Sequence, residues 1–347
     1  MTAVMTVEQQ SRRSSSCMLP PLRFTPLIKR LRWGGTRLGT SLGKAIGAAT
    51  DAAESWEIAD HGTDQSVVIS GPFAGWTLTQ LMSQHATELL GSTATQTTFP
   101  LLVKFLDAHD RLSLQVHPND QQARKYTSTD HGKTEAWVVL DALPGSLIYA
   151  GLKPGLSAAD LEQATLAGNL PDCVHAFEAH PGDCYFIPTG TVHAVGEGVL
   201  LAEIQQTSDI TFRLHDWGRL GSDGLPRQLH LREALECIDY SRGPIKPLQP
   251  RLISGISINR VEEIVTCDYF AIRRHTGSAP WQRDIQNRFQ IFIVLEGQID
   301  LVTPSGTETL RQGETALIPA SCNNCLISPR GSAILLEAFE PAMKPGA

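Results

Sequence analysis

The sequence predicts an all-β protein, two related β-barrel domains with a few accessory helices, and three observations carry that prediction. From Leu19 onward, short apolar runs alternate with Gly, Pro, Asp and Asn, which is the punctuation of strands and turns. Gly182–Pro188 (GDCYFIP) is echoed by Gly313–Pro319 (GETALIP); both read Gly, acidic residue, three residues, Ile-Pro. Between the two copies, Asp239 to Gly255 holds a Pro-rich connector, SRGPIKPLQPRLIS, which marks the domain boundary. The expected units are a tail over 1–18, a first domain with accessory helices over 19–240 and a second domain over 241–347.

The elements follow in order. The first seventeen residues, MTAVMTVEQQSRRSSSC, are polar and Ser-rich with no apolar stretch of a secretory leader, so they read as a disordered tail, with Met18 an alternative start. Leu78, Leu81, Met82, Leu89 and Leu90 recur at helical spacing and predict a helix over Thr77–Leu90. Ser157 is an N-cap followed by acidic residues, predicting a helix to Leu166. His230–Ile238 is the third helix candidate. Beyond the connector, Phe289–Glu296 and Ala333–Phe339 are the strongest strands.

Composition narrows the function. A net charge of −7 excludes the basic field that a nucleic-acid partner requires, yet leaves room for a small anionic substrate in a locally cationic cleft. No apolar run approaches the ~18 residues of a membrane-spanning helix, so no membrane partner is expected. The seven cysteines are odd in number and scattered, and read as reduced thiols of a cytoplasmic protein. Nothing in the pattern fixes an oligomeric state.

Strand parity gathers the chemistry. In Asp110–Pro118 (DRLSLQVHP), Leu112, Leu114 and Val116 share one face, and Ser113, Gln115 and His117 the other. In Gly132–Leu140, Lys133 and Glu135 point the same way. His193 faces away from Val192 and Ala194. In Asp209–Asp216, Asp209, Thr211, Arg213 and His215 oppose Ile210, Phe212 and Leu214. Two imidazoles, a carboxylate and an amide oxygen suit a divalent metal, with zinc favoured over Mn²⁺, Fe²⁺ or Co²⁺ by the nitrogen content. Lys133 and Arg213 suit stabilisation of developing negative charge. Each His taken singly is more often a hydrogen-bonded core group than a ligand, and spacing alone leads only to a metal site in a β-barrel.

Gly182-x5-Pro188-x-Gly190-x2-His193 resembles the second cupin motif, with Glu197 in place of its final Asn. The blocks FPLLVKFLDAHDRLSLQVHPND, GKTEAW, GDCYFIPTGTVHAVG and EIQQTSDITFRLHDWGR, with LRWGG and ESWE upstream, resemble a type I mannose-6-phosphate isomerase in its short bacterial form, from about Leu22 to Phe339. The resemblance implies two cupin, or jelly-roll, domains and one zinc held by Gln115, His117, Glu135 and His193. It also implies interconversion of mannose 6-phosphate and fructose 6-phosphate through a cis-enediol. Arg213 matches the family's active-site arginine and Lys133 a lysine beside the metal. Glu203 and Asp209 match cleft carboxylates and are candidates for the base, and Trp33 and Glu54 match other cleft positions. Lys104 and Ser113 match positions associated with the substrate phosphate. The second domain carries Ser321 and Asn324 where a metal-binding copy has Gly and His, so it is expected to be metal-free, with Cys322 and Cys325 as ordinary buried thiols. Two alternatives stay open: an isomerase of another or unphosphorylated sugar, and a non-catalytic sugar-sensing cupin.

Overall fold

The computed structural model describes residues 18–341 apart from 93, 222, 223 and 257, so the predicted tail lies outside the described residues except for Met18. The described chain is mostly antiparallel β-sheet with few helices.

The N-terminal half holds a wide six-stranded sheet and a narrow five-stranded one. In spatial order the wide sheet runs Cys184–Ile187, Glu135–Ala142, Val199–Gln206, Leu101–Ala108, Ala52–Ile58 and Leu27–Gly35. The narrow sheet runs Val174–Glu178, Leu147–Leu152, His193–Val195, Leu114–Val116 and Phe212–His215. The C-terminal half repeats this plan. Its wide sheet runs Thr315–Ile318, Gln290–Glu296, Ala333–Phe339, Ala271–Gly277, Asn259–Thr266 and Arg251–Ile256. Its narrow sheet runs Gly306–Arg311, Gln298–Thr303, Asn324–Pro329 and Trp281–Asp284. Taken in chain order, the strands of the two wide and two narrow sheets correspond one to one, and within these sheets Phe212–His215 is the strand without a counterpart. The sequence echo is therefore the visible part of a repeated strand order, with both Gly-acidic turns leading into the edge strand of a wide sheet.

The three predicted helices form. Leu78–Leu90 starts from a reciprocal capping box between Thr77 and Gln80, and His85 interrupts its helical backbone. Ala158–Ala167 is capped by Ser157 with Asp160 and ends at left-handed Gly168. Leu231–Cys237 is shorter than expected. The connector also ends earlier than Gly255: the strand Arg251–Ile256 begins directly after Pro250, the last proline of the run.

One apolar cluster spans both halves, joining Leu101, Val103 and Phe105 to Ile291, Ile293 and Leu336, with the helix Leu78–Leu90 packed into it. Phe99 and Phe289 meet within it at 4.8 Å. At the end of that helix Gly91 adopts φ +68, and a Cβ there would lie 2.2 Å from the Asn287 carbonyl, so only glycine permits this close approach. The stretch Leu19–Arg23, expected within the first domain, crosses to the other half. Leu22 pairs with Leu317, Leu19 N donates to Ser321 Oγ, and Cys322 Sγ donates to the Leu19 carbonyl. Cys322 and Cys325 are both buried, and burial pushes the Cys325 thiol up to about 12, the state of an inert thiol.

Candidate active site

The narrow sheet of the N-terminal half has two unlike faces, as parity predicts. Leu114, Val116, Val192, Ala194, Phe212 and Leu214 form a cluster with Leu161, Ala164, Ala234 and Cys237 of the two covering helices. The opposite face bears functional groups in register: His193 pairs with Gln115, and Gln115 with Arg213. From the wide sheet, Glu203 sits between Lys104 on one neighbouring strand and Trp137 on the other.

His117, Glu135 and His193 converge so that one ligand atom from each lies within 4.8 Å of the others, all three buried. Backbone carbonyls orient the imidazoles. His117 Nδ1 donates to the Ile210 carbonyl at 2.8 Å and His193 Nδ1 to the Thr191 carbonyl at 2.9 Å. A carbonyl can only accept, so each Nδ1 carries the proton and each Nε2 presents a lone pair to the centre. Burial pushes both imidazoles toward the neutral form, His193 down to about 3. Trp137 holds the His193 ring edge-on at 5.4 Å.

These groups fit a divalent cation. Glu135 Oε1 lies 3.3 Å from His193 Nε2, yet it is buried with no hydrogen-bond partner. A carboxylate oxygen facing the His193 lone pair is repulsive, and a divalent cation between them relieves it. Gln115 accepts from Ser113 at 3.3 Å and turns its amide nitrogen to His193 Nε2 at 3.4 Å. A 180° turn of that amide exchanges oxygen for nitrogen and supplies the fourth donor. Around this centre stand the carboxyl groups of Glu54, Glu135, Glu203 and Asp209 and the ammonium groups of Lys104 and Lys133.

Those six residues form a chain of alternating sign. Lys133 Nζ contacts Glu135, lies 3.2 Å from His117 Nε2 and 3.9 Å from Glu203. Lys104 Nζ lies 3.4 Å from Glu54, 3.5 Å from Glu203 and 3.8 Å from Asp209, and covers the Trp56 ring at 4.5 Å. Glu203 accepts from the Trp137 indole at 2.9 Å. Burial opposes its charge, but Lys133, Lys104 and that indole outweigh it and hold Glu203 below the usual carboxylate range. Burial and the neighbouring Glu203 push Glu135 the other way. Three carboxylates thus stand within 3.8 Å of the Lys104 ammonium.

Other predicted residues stand at the edges of this centre. Glu54 is bonded by the Trp56 indole at 2.6 Å. Asp209 is the exposed member, its backbone N–H held by Asp130 at 3.4 Å. Asp130 in turn bonds His61 at 2.9 Å, which raises the His61 pKa above its ordinary value. Trp33 is buried in an apolar cluster with Trp137 and Leu106. Arg213 lies beside Gln115 by register, but its guanidinium donates to the Gln228 carbonyl at 2.9 Å and its Nε is buried without a partner. Burial and the charge of Arg227 lower its pKa.

Two functional candidates escaped sequence reasoning. Trp137 buttresses both His193 and Glu203, and parity with Lys133 and Glu135 already places it on their face. Arg227, beside Arg213, follows a loop and carries no periodic signal.

Comparisons with known proteins identify the family. Residues 22–136 match the family profile of the phosphomannose isomerase type I catalytic domain, and residues 260–337 that of the mannose-6-phosphate isomerase cupin domain. The chain is similar to the mannose-6-phosphate isomerase ManA of Bacillus subtilis, 33% identical over 86% of this chain and 93% of the relative. It is 31% identical to the mannose-6-phosphate isomerase of Streptococcus mutans over 87% and 93%. A crystal structure of the mannose 6-phosphate isomerase from Bacillus subtilis superposes with TM-score 0.85 at 30% identity, over 92% of this chain and 99% of that one. The fold is shared with a mannose 6-phosphate isomerase bound with zinc and yttrium, TM-score 0.73 at 17% identity over 93% and 100%. With this similarity running along nearly the whole length of its relatives, the chain belongs to the type I mannose-6-phosphate isomerase family.

Proposed function

We propose that the chain interconverts mannose 6-phosphate and fructose 6-phosphate at one zinc ion held by His117, Glu135, His193 and the amide oxygen of Gln115. The observation that carries this is the buried, partnerless Glu135 oxygen facing the His193 lone pair, with His117 converging on the same point. A zinc-bound neighbour of the same fold supports the choice of metal. The two pairs of sheets are read as two cupin jelly rolls, the catalytic one over 19–240 and a metal-free one over 241–347. In the second, the strand order puts Asp284, Gln290 and Asn324 where Gln115, Glu135 and His193 stand.

Aldose–ketose isomerisation takes the proton from C2, passes it to C1 through a cis-enediol, and moves a second proton between O1 and O2. A divalent cation held by His117, Glu135, His193 and Gln115 would supply Lewis acidity as charge develops. Asp209 is the proton-transferring carboxylate, because it alone of the cluster is open to a substrate, its side chain 53% exposed. Glu203, walled in by Lys104, Lys133 and Trp137, positions both lysines. Lys133 orients the O1 and O2 hydroxyls, and Trp33 and Trp137 exclude water from one side. Arg213 and Arg227 receive the phosphate or the developing anion, with Ser113 aligning Gln115, whereas Lys104 and Glu54 keep the carboxylates in place.

A coupled isomerase assay with chelation and zinc re-addition tests substrate and metal together, run on mannose 6-phosphate and on mannose. Turnover is expected to vanish and return with zinc, and the Michaelis constant to rise strongly without the phosphate. Zinc-loaded protein that binds the sugar phosphate without turnover revives the sugar-sensing reading. Asp209→Asn with normal turnover rejects Asp209 as the base.

A further inference from the structure

We propose that the C-terminal barrel binds a second phosphorylated hexose, without converting it, in the cavity between Arg273, Arg283 and Trp281. The cavity measures about 600 Å³ and is walled by Ile253, Val261, Arg273, His275, Trp281 and Arg283. That volume suits a molecule of hexose phosphate size. It opens where the strands Arg251–Ile256 and Asn259–Thr266 extend the wide sheet by two, while Trp281–Asp284 is already the edge of the narrow one.

Register relates this cavity to the catalytic centre. Glu203 pairs with Lys104 and Trp137, and Glu337 pairs with Arg273 and Phe292 on the corresponding strands. The acid-and-cation pair thus stands at the same place in both barrels, but the charge pattern is inverted. In the first barrel a lysine lies among carboxylates. In the second a fully buried carboxylate, Glu337, lies between two guanidinium groups: Arg283 contacts it and Arg273 stands at 3.7 Å, with the His275 imidazole Nε2 at 2.9 Å. Nearby Glu263 is engaged by Arg251 at 2.6 Å. One carboxylate facing two guanidinium groups leaves positive charge over, and that surplus selects an anion.

The walls also offer unused polar atoms. Arg273 Nε, Trp281 Nε1 and His275 Nδ1 are each buried without a hydrogen-bond partner. Guanidinium groups grip phosphate oxygens with forked donors. The Trp281 ring, stacked on His275 at 5.7 Å and 7°, gives a rigid apolar plate for the sugar. With Asp284, Gln290 and Asn324 at the positions of Gln115, Glu135 and His193, this barrel lacks the two-imidazole set of the first one, and the site serves binding alone.

Equilibrium dialysis of the full chain against the equilibrated mixture of mannose 6-phosphate and fructose 6-phosphate counts bound sugar phosphate per chain. Two are expected for the wild type and one for Arg273→Gln and for Trp281→Leu, with kcat/KM at limiting substrate unchanged in both, which also reports that they fold. One per chain in an active wild type overturns the inference and leaves the isomerase reading standing; absence of turnover overturns that reading instead. Inorganic phosphate displacing the second molecule at equal concentration overturns the assignment to a phosphorylated sugar.

Discussion

Replacing Lys104 by Met separates two roles for this lysine. The ammonium is 3% exposed and within 3.8 Å of Glu54, Glu203 and Asp209, so removing it strands buried carboxylates. Breaking a buried ion pair from one side costs about 3–5 kcal/mol. At an unfolding entropy of about 0.7 kcal/mol/K for 347 residues, this lowers Tm by roughly 4–7 °C. Differential scanning calorimetry of Lys104→Met beside Lys104→Met/Glu54→Gln is the assay. The double variant removes one stranded charge and is expected to recover part of the loss. Steady-state kinetics on mannose 6-phosphate complete the test: kcat falls because Glu203 and Asp209 lose their anchor, while KM changes little. An unchanged Tm with a KM raised tenfold or more refutes this reasoning and returns Lys104 to the phosphate.

Trp137→Phe keeps the ring against His193 but deletes the donor to Glu203. A hydrogen bond to a charged group is worth about 1.5–3 kcal/mol, so Tm is expected to drop by roughly 2–4 °C with a loss of kcat, read by the same calorimetry and assay. The His61–Asp130 pair gives a pH signature near the loop that carries Asp209. Asp130 raises the folded pKa of His61, so the stabilisation is fully present below about pH 6.5 and lost as pH rises through the raised value. A plot of Tm against pH is therefore expected to converge for wild type and His61→Gln at alkaline pH and to separate at acid pH; parallel curves speak against it.

The convergence of His117, Glu135 and His193 was legible because strand parity is local. Ser113, Gln115 and His117 alternate with apolar residues, and the apolar partners Leu114 and Val116 do bury on the far side. The helix Leu78–Leu90 was legible from its leucine spacing and cap. What escaped depends on pairs distant in the chain. Lys104 reads as a phosphate ligand until Glu54, Glu203 and Asp209, from three separate segments, close around it. The connector hid the strand Arg251–Ile256 because Pro244, Pro247 and Pro250 dominate its composition. Arg213 shares the face of Gln115 as predicted, but its guanidinium follows the loop carbonyl of Gln228, and no periodicity foretells a loop.

The pairing of Leu22 with Leu317 sets an order of events during synthesis. Their separation is 295 residues (317 minus 22), and Phe99 likewise waits for Phe289. At ribosomal rates of about 5–20 residues per second, Leu22 waits roughly 15–60 s for its partner. The apolar cluster shared by the two halves therefore closes only against strands made last, and a nascent chain halted before Leu317 leaves that cluster without part of its partners.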